Sequence, residues 1–133
     1  MSSHRLVHAP HLPKPAGPYS PATVFGRLVF VSGQGATDPS TGALAGADVE
    51  SQTEQCFRNI QAILTAAGSD LGHVLRCGVF LIDIAEFPKM NAVYERMFAG
   101  HRPARTTIQA AALPGPGLRV EIDCIACVPA TNK

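Results

Sequence analysis

Tryptophan is absent from this chain of 133 residues, aromatic residues are scarce at 6%, and charged residues make up only 16%. Net charge is +1, and no run of Lys or Arg concentrates it. The electrostatic footprint of a nucleic-acid binder is therefore missing. No segment reaches the roughly 18 consecutive apolar residues of a membrane-spanning helix. The N-terminal "MSSHRLVHAPHLPKP" has no apolar core of the kind found in secretory signals. The expectation is a soluble, cytoplasmic protein with neither nucleic-acid nor membrane partners. What the chain does have is apolar material: 46% of residues are hydrophobic, enough for one well-filled core in a single domain over 1–133.

Cysteine is also sparse, at positions 56, 77, 124 and 127. "CIAC" has the spacing of a redox or zinc motif. The surrounding "RVEIDCIACV" alternates as a strand does, however, and residues three apart in a strand face opposite sides of the sheet. Cys124 and Cys127 then share neither a metal nor a bridge. All four thiols read as small hydrophobes in a reducing compartment. His4, His8 and His11 have ligand-like spacing but lie in a proline-broken arm with no cysteine or carboxylate nearby. No metal site is expected. A phosphate-binding glycine loop, a Ser-His-Asp or Cys-His pairing and any cofactor motif are likewise missing.

The first twenty residues hold four prolines and three histidines and read as an extended arm, 1–14 lying ahead of the main body. "ATVFGRLVFVSGQ" reads as a hairpin turning at Gly26-Arg27. "DPSTG" (38–42) is a turn, with Gly42 free to take positive φ. Helix period runs through 49–67, with Val49, Cys56, Ile60, Ile63, Leu64 and Ala67 on one stripe, Asp48 as N-cap and Gly68 just past the end. Residues 74–82, "VLRCGVFLI", form a nearly continuous apolar run, the signature of a strand buried on both faces. A second helix spans 87–100, with Pro88 at its first turn, Gly100 at its end, and Phe87, Met90, Val93, Tyr94, Met97 and Phe98 facing the core. Strands near 105–111 and 118–128 close the chain. The order ββαβαββ predicts an α+β fold: one mixed sheet with both helices on one face. The other face is then bare. Because its strands carry much apolar material and little charge, burial by self-association is expected.

Polar groups concentrate in four segments: "GPYS" (17–20), "VSGQG" (31–35), "PARTT" (103–107) and "VEID" (120–123). Arg105 begins a β-branched run, where a lone guanidinium needs partners for its five donors. It either pairs with an internal carboxylate, such as Glu121 on a neighbouring strand, or grips the carboxylate of a ligand through two parallel hydrogen bonds. Glu121 shares a strand face with Asp123; it is either a surface carboxylate or, beside an Arg in a cleft, a group that holds a water and accepts its proton. Tyr19 in its Gly-Pro loop, Ser32 and Gly33 at a strand end, and Asn91 in the second helix each have an ordinary structural reading as well as a place in such a cleft. His73 and His101 read as solvated loop residues.

Taken together and in this order, "GPYSPA" (17–22), "LVFVSGQ" (28–34), "DPSTGAL" (38–44), "QTEQCFRNIQAILTAAGSDL" (52–71), "VFLIDIAEFPKMNAVYERMF" (79–98), "RPARTTI" (102–108) and "VEIDCIA" (120–126) resemble the RidA/YjgF family of reactive-intermediate (enamine/imine) deaminases. The resemblance covers about residues 15–128. It implies a fold similar to a small chorismate mutase and a homotrimer with clefts between subunits. Active members hydrolyse 2-imino acids such as 2-iminobutanoate and 2-iminopropanoate to 2-oxo acids and ammonia, without metal or cofactor. By position, Arg105 matches the arginine that binds the substrate carboxylate and Glu121 the glutamate associated with the attacking water. Tyr19, Ser32, Gly33 and Asn91 match residues lining the same pocket. Many members carry Cys two residues after the arginine, where this chain has Thr107; that departure touches substrate preference. Branches that lack the arginine have weak or no deaminase activity, and this chain keeps it. The other readings are a small-carboxylate binding or regulatory protein without turnover, and an aminomuconate-type deaminase. A ribonuclease label also attaches to relatives; near-neutral charge and the lack of stacking aromatics in a basic groove argue against it here.

Overall fold

Alternating apolar residues on the strands and 3.6-period stripes on the helices converge on one core in the computed structural model, which describes residues 3–130. The strands are β1 (Arg5–Val7), β2 (Ala22–Phe25), β3 (Leu28–Gln34), β4 (Val74–Leu81), β5 (Ala104–Gln109) and β6 (Val120–Cys127); the helices are α1 (Val49–Ala66) and α2 (Phe87–Phe98). They form one six-stranded mixed sheet in the order β1-β2-β3-β6-β4-β5. β4 and β5 pair in parallel and all other neighbours are antiparallel. Parallel pairing requires a crossover, and α2 supplies it. No helix among the described residues is long and apolar enough to cross a membrane.

Local signals act where the sequence placed them. The Asp48 side chain accepts from the Ser51 N–H at the start of α1. Gly26, Gly42 and Gly68 adopt positive φ at the hairpin, the turn and the end of α1. The predicted α1 stripe is buried throughout. Within α1, Gln52 is buried too: it donates to the Gly46 and Gly117 carbonyls and accepts from Arg119 N–H, tying two loops to the helix.

Four expectations change. Part of the predicted arm is a strand, β1, paired with β2; three residues of which only Val7 is buried carry no detectable period. α2 stops at Phe98, and the left-handed turn after it uses Ala99 (φ 50) as well as Gly100 (φ 99). β4 lies inside the sheet but is not buried throughout: Leu75 is 48% exposed, Arg76 is exposed and Phe80 is half-buried. Leu28, Phe30 and Ile108 are also exposed large hydrophobics, so the sheet face away from the helices is apolar and open to solvent in the single chain. His101 is anchored rather than solvated, its Nε2 lying 2.6 Å from the Val74 carbonyl and its ring edge against Phe98.

Candidate active site

Arg105 lies on β5, the edge strand, whose one neighbour is β4. The register pairs Cys77 with Arg105 and Val79 with Thr107. Cys77 and Val79 are core residues, so Arg105 and Thr107 point to the helix-covered face. There α2 presents Phe87, Asn91 and Tyr94, spaced four and three residues apart and hence on one stripe. Arg105 Nη1 donates to Asn91 Oδ1 at 2.7 Å. Its guanidinium carbon stands 4.6 Å from the Tyr94 ring centre and 5.3 Å from that of Phe87.

The internal-carboxylate alternative fails for Arg105. Glu121 is on β6, with β4 interposed, and it points to the opposite face of the sheet. Among the described residues no carboxylate lies within ion-pairing distance of the Arg105 guanidinium. The cation faces a cleft of about 440 Å³ whose walls include Asn91, Tyr94, His101, Arg102 and Pro103. The Thr107 and Tyr94 hydroxyl oxygens are buried close by without a hydrogen-bond partner among the described residues. Burial raises the pKa of the Tyr94 phenol, with the neighbouring Cys77 thiol adding to it; burial likewise pushes the Cys77 thiol up to about 11. Both groups are neutral at physiological pH.

The second cluster sits on the open face. Residues on β4 alternate between faces, and the pairs Gly78–Asp123 and Phe80–Glu121 put both acids opposite to Arg105. Glu121 lines a pocket of about 400 Å³ together with Lys14, Tyr19, Gly33, Gln34 and Leu118. A Cβ on Gly33 would lie 2.7 Å from Glu121 Oε2, so a larger residue there displaces the carboxylate from this position. Burial raises the Glu121 pKa, and the like charge of Asp123 raises it further. The ladder between β3 and β6 shifts register between Val31 and Gln34, across Ser32 and Gly33. The Ser32 hydroxyl donates to the Ser20 carbonyl and its N–H to the Pro21 carbonyl, so this serine ties down the 17–21 loop. Tyr19 is half-exposed, and its hydroxyl accepts from the Ala16 N–H.

One chain thus holds two separate polar clusters, on opposite faces of its sheet. Arg105, Asn91 and Thr107 form the first; Tyr19, Gly33 and Glu121 form the second; Ser32 supports the second from behind. Tyr94 and Phe87, which flank the guanidinium, read in sequence as ordinary core residues. The visible signal was their spacing from Asn91 on one helical stripe, which becomes meaningful only once β5 is known to lie beneath it. Gln34 lay inside the polar segment 31–35 but was not singled out, and Lys14 carried no signal.

Fold and clusters define a small α+β domain built to bind a small molecule, with a cationic cleft on one sheet face and a carboxylate-lined pocket on the other. The chain belongs to the family described as Endoribonuclease L-PSP, the RidA/YjgF family, which it matches over residues 9–128. It is 44% identical to "Protein DfrA" of Myxococcus xanthus over 126 residues, covering 93% of this chain and 95% of that one. It is 38% identical to the human 2-iminobutanoate/2-iminopropanoate deaminase over 122 residues, covering 92% and 88%. The crystal structure of Escherichia coli TdcF with bound serine superposes with a TM-score of 0.86 at 34% identity, covering 92% of this chain and 98% of that one.

Proposed function

We propose that the protein is a 2-imino acid deaminase of the 2-iminobutanoate/2-iminopropanoate type, a cofactor-independent hydrolase acting on a C=N bond. The observation that carries this reading is Arg105: a guanidinium held by Asn91 and two rings, facing a cleft, with no carboxylate among the described residues to neutralise it. A planar fork in that state matches an incoming carboxylate. Identity to a human relative named for this activity, and serine in the TdcF relative, agree with a small substrate bearing a carboxylate.

The chemistry asks little more. A protonated 2-imino acid is already electrophilic at the C=N carbon. Arg105 holds its carboxylate. Glu121, ionised, orients a water and accepts its proton as the oxygen bonds to carbon. The carbinolamine then collapses: Glu121 returns its proton to the nitrogen, the C–N bond breaks as the hydroxyl becomes the C=O, and the hydroxyl proton is taken up by the departing ammonia, so that 2-oxo acid and ammonium leave and Glu121 is again ionised. Net, one water is consumed per imine. Most of the acceleration comes from holding the two reactants in place.

Arg105 and Glu121 must then meet across a contact between copies, since they point to opposite faces of one sheet. The open apolar face, with Phe30 41% and Ile108 47% exposed, supports a homotrimer that buries it and joins the Arg105 half of one chain to the Glu121 half of another.

The test is release of ammonia from an imino acid generated in situ by an amino-acid oxidase or a dehydratase. Wild type accelerates it and Arg105→Ala does not, while remaining folded. Equal rates for the two proteins would end this reading. Binding of a 2-oxo acid without any acceleration would make the protein a carboxylate binder instead.

A further inference from the structure

We infer that Tyr94 is the positioning residue that orients the Arg105 guanidinium for an incoming carboxylate; the inference rests on the reading of Arg105 as the substrate's grip. Arg105 rises from an edge strand, and its side chain makes a single hydrogen bond to the described protein, to Asn91. One hydrogen bond at the tip of a chain with several rotatable bonds leaves the fork free to swivel about it. What removes that freedom is the aromatic face 4.6 Å from the guanidinium carbon, inside the range in which a cation is attracted by a ring.

The ring is itself packed among other aromatics. Tyr94 is 8% exposed and packs edge-on against Phe57 of α1 at 5.4 Å and 79°, and against Phe98 at 4.8 Å. A chain of fixed contacts therefore runs from α1 through Tyr94 to Arg105. Phe87 adds a second ring at 5.3 Å, further off and only partly buried.

The ring carries this role and the hydroxyl does not. The Tyr94 oxygen is shut off from solvent, and among the described residues it has no N or O partner, only the Cys77 thiol beside it. A substrate in the cleft has no route to an oxygen so enclosed, and a poorly partnered buried hydroxyl destabilises its site rather than supporting it. Tyr94→Phe therefore keeps everything the site uses. Tyr94→Leu fills much of the space but offers no π face.

Steady-state ammonia release and the affinity for 2-oxobutanoate, measured calorimetrically, are compared for wild type, Tyr94→Phe, Tyr94→Leu and Arg105→Ala. Tyr94→Phe is expected within about twofold of wild type in both. Tyr94→Leu is expected to raise KM and the 2-oxobutanoate Kd by about tenfold, with kcat within a factor of about two, because the reacting atoms are untouched. Should Tyr94→Leu fail to fold, Tyr94→Met replaces it, with the same expectation. Two results overturn the inference: KM and Kd in Tyr94→Leu equal to wild type, or Tyr94→Phe as impaired as Tyr94→Leu. The deaminase reading fails separately, by equal ammonia release from wild type and Arg105→Ala; the 2-oxobutanoate affinities still decide the role of Tyr94 in that event. Wild type that binds no 2-oxobutanoate overturns both.

Discussion

Gly33 and Glu121 stand so close across β3 and β6 that a methyl group on the glycine would lie 2.7 Å from the glutamate Oε2. The carboxylate holds this position because residue 33 has no side chain. Gly33→Ala is expected to push Glu121 out of its place and lower kcat on the order of 10- to 100-fold, the scale on which misplaced catalytic groups act. Thermal denaturation should show a loss of about 1–3 kcal/mol from overpacking. A Gly33→Ala protein with undiminished kcat would mean that Glu121 has another position available in which it works equally well.

Glu121 also predicts a pH dependence. Its pKa in the fold is raised above the ordinary 4.5, first by burial and then by Asp123. The acid limb of kcat is therefore expected above the ordinary glutamate range, since the ionised form is the one that accepts the proton. Stability runs the other way. In the window between the unfolded and the raised folded pKa, the folded chain binds more protons, so stability falls as pH rises through it. Glu121→Gln should flatten both curves: activity low at every pH, and denaturant midpoints that no longer decline over that window. A wild-type acid limb at or below the ordinary value would contradict the assignment.

Asn91 offers a way to neutralise Arg105 without removing it. Asn91→Asp places a carboxylate where the amide oxygen now accepts at 2.7 Å. The guanidinium then has an internal anion, and an incoming carboxylate must compete with it. KM is expected to rise by about tenfold or more, with little loss of thermal stability, because the new pair is charge-assisted. Unchanged KM in this variant would show that the substrate does not use the Arg105 fork.

The open sheet face predicts the consequence of a charge on it. Phe30 is exposed in one chain and lies in the apolar row with Leu28 and Ile125. In the trimer proposed above three copies would each bury a lysine in the contact, so Phe30→Lys is expected to run as a monomer in light scattering where wild type runs as a trimer. Ammonia release should vanish with the trimer, although neither polar cluster has been touched. A fully active monomer would show that one chain suffices.

The particular elements legible in the sequence are those that local chemistry governs. The α1 stripe, the Asp48 cap, the Gly26 hairpin and the β6 alternation follow from periods of 3.6 and 2, from a side chain that can accept an N–H, and from glycine at positive φ. β1 was hidden because three residues with one buried side chain make no pattern. The face-bare state of Leu75 was hidden because an apolar run looks the same whether another layer of the same chain covers it or another chain does.

Arg105, Glu121 and Gly33 could be nominated from sequence, as residues whose chemistry fits a small acid and whose surroundings resemble a known family. Their relation could not. Whether Arg105 met Glu121 depended on strand order, and the order β6-β4-β5 separates them while the pleat turns them to opposite faces. Likewise Tyr94 carried the same apolar label as its neighbours until β5 came to lie beneath α2. Residue types and local periods are written along the chain. Which side chains share a cleft is set by pairing between strands far apart in it, and that only folding decides.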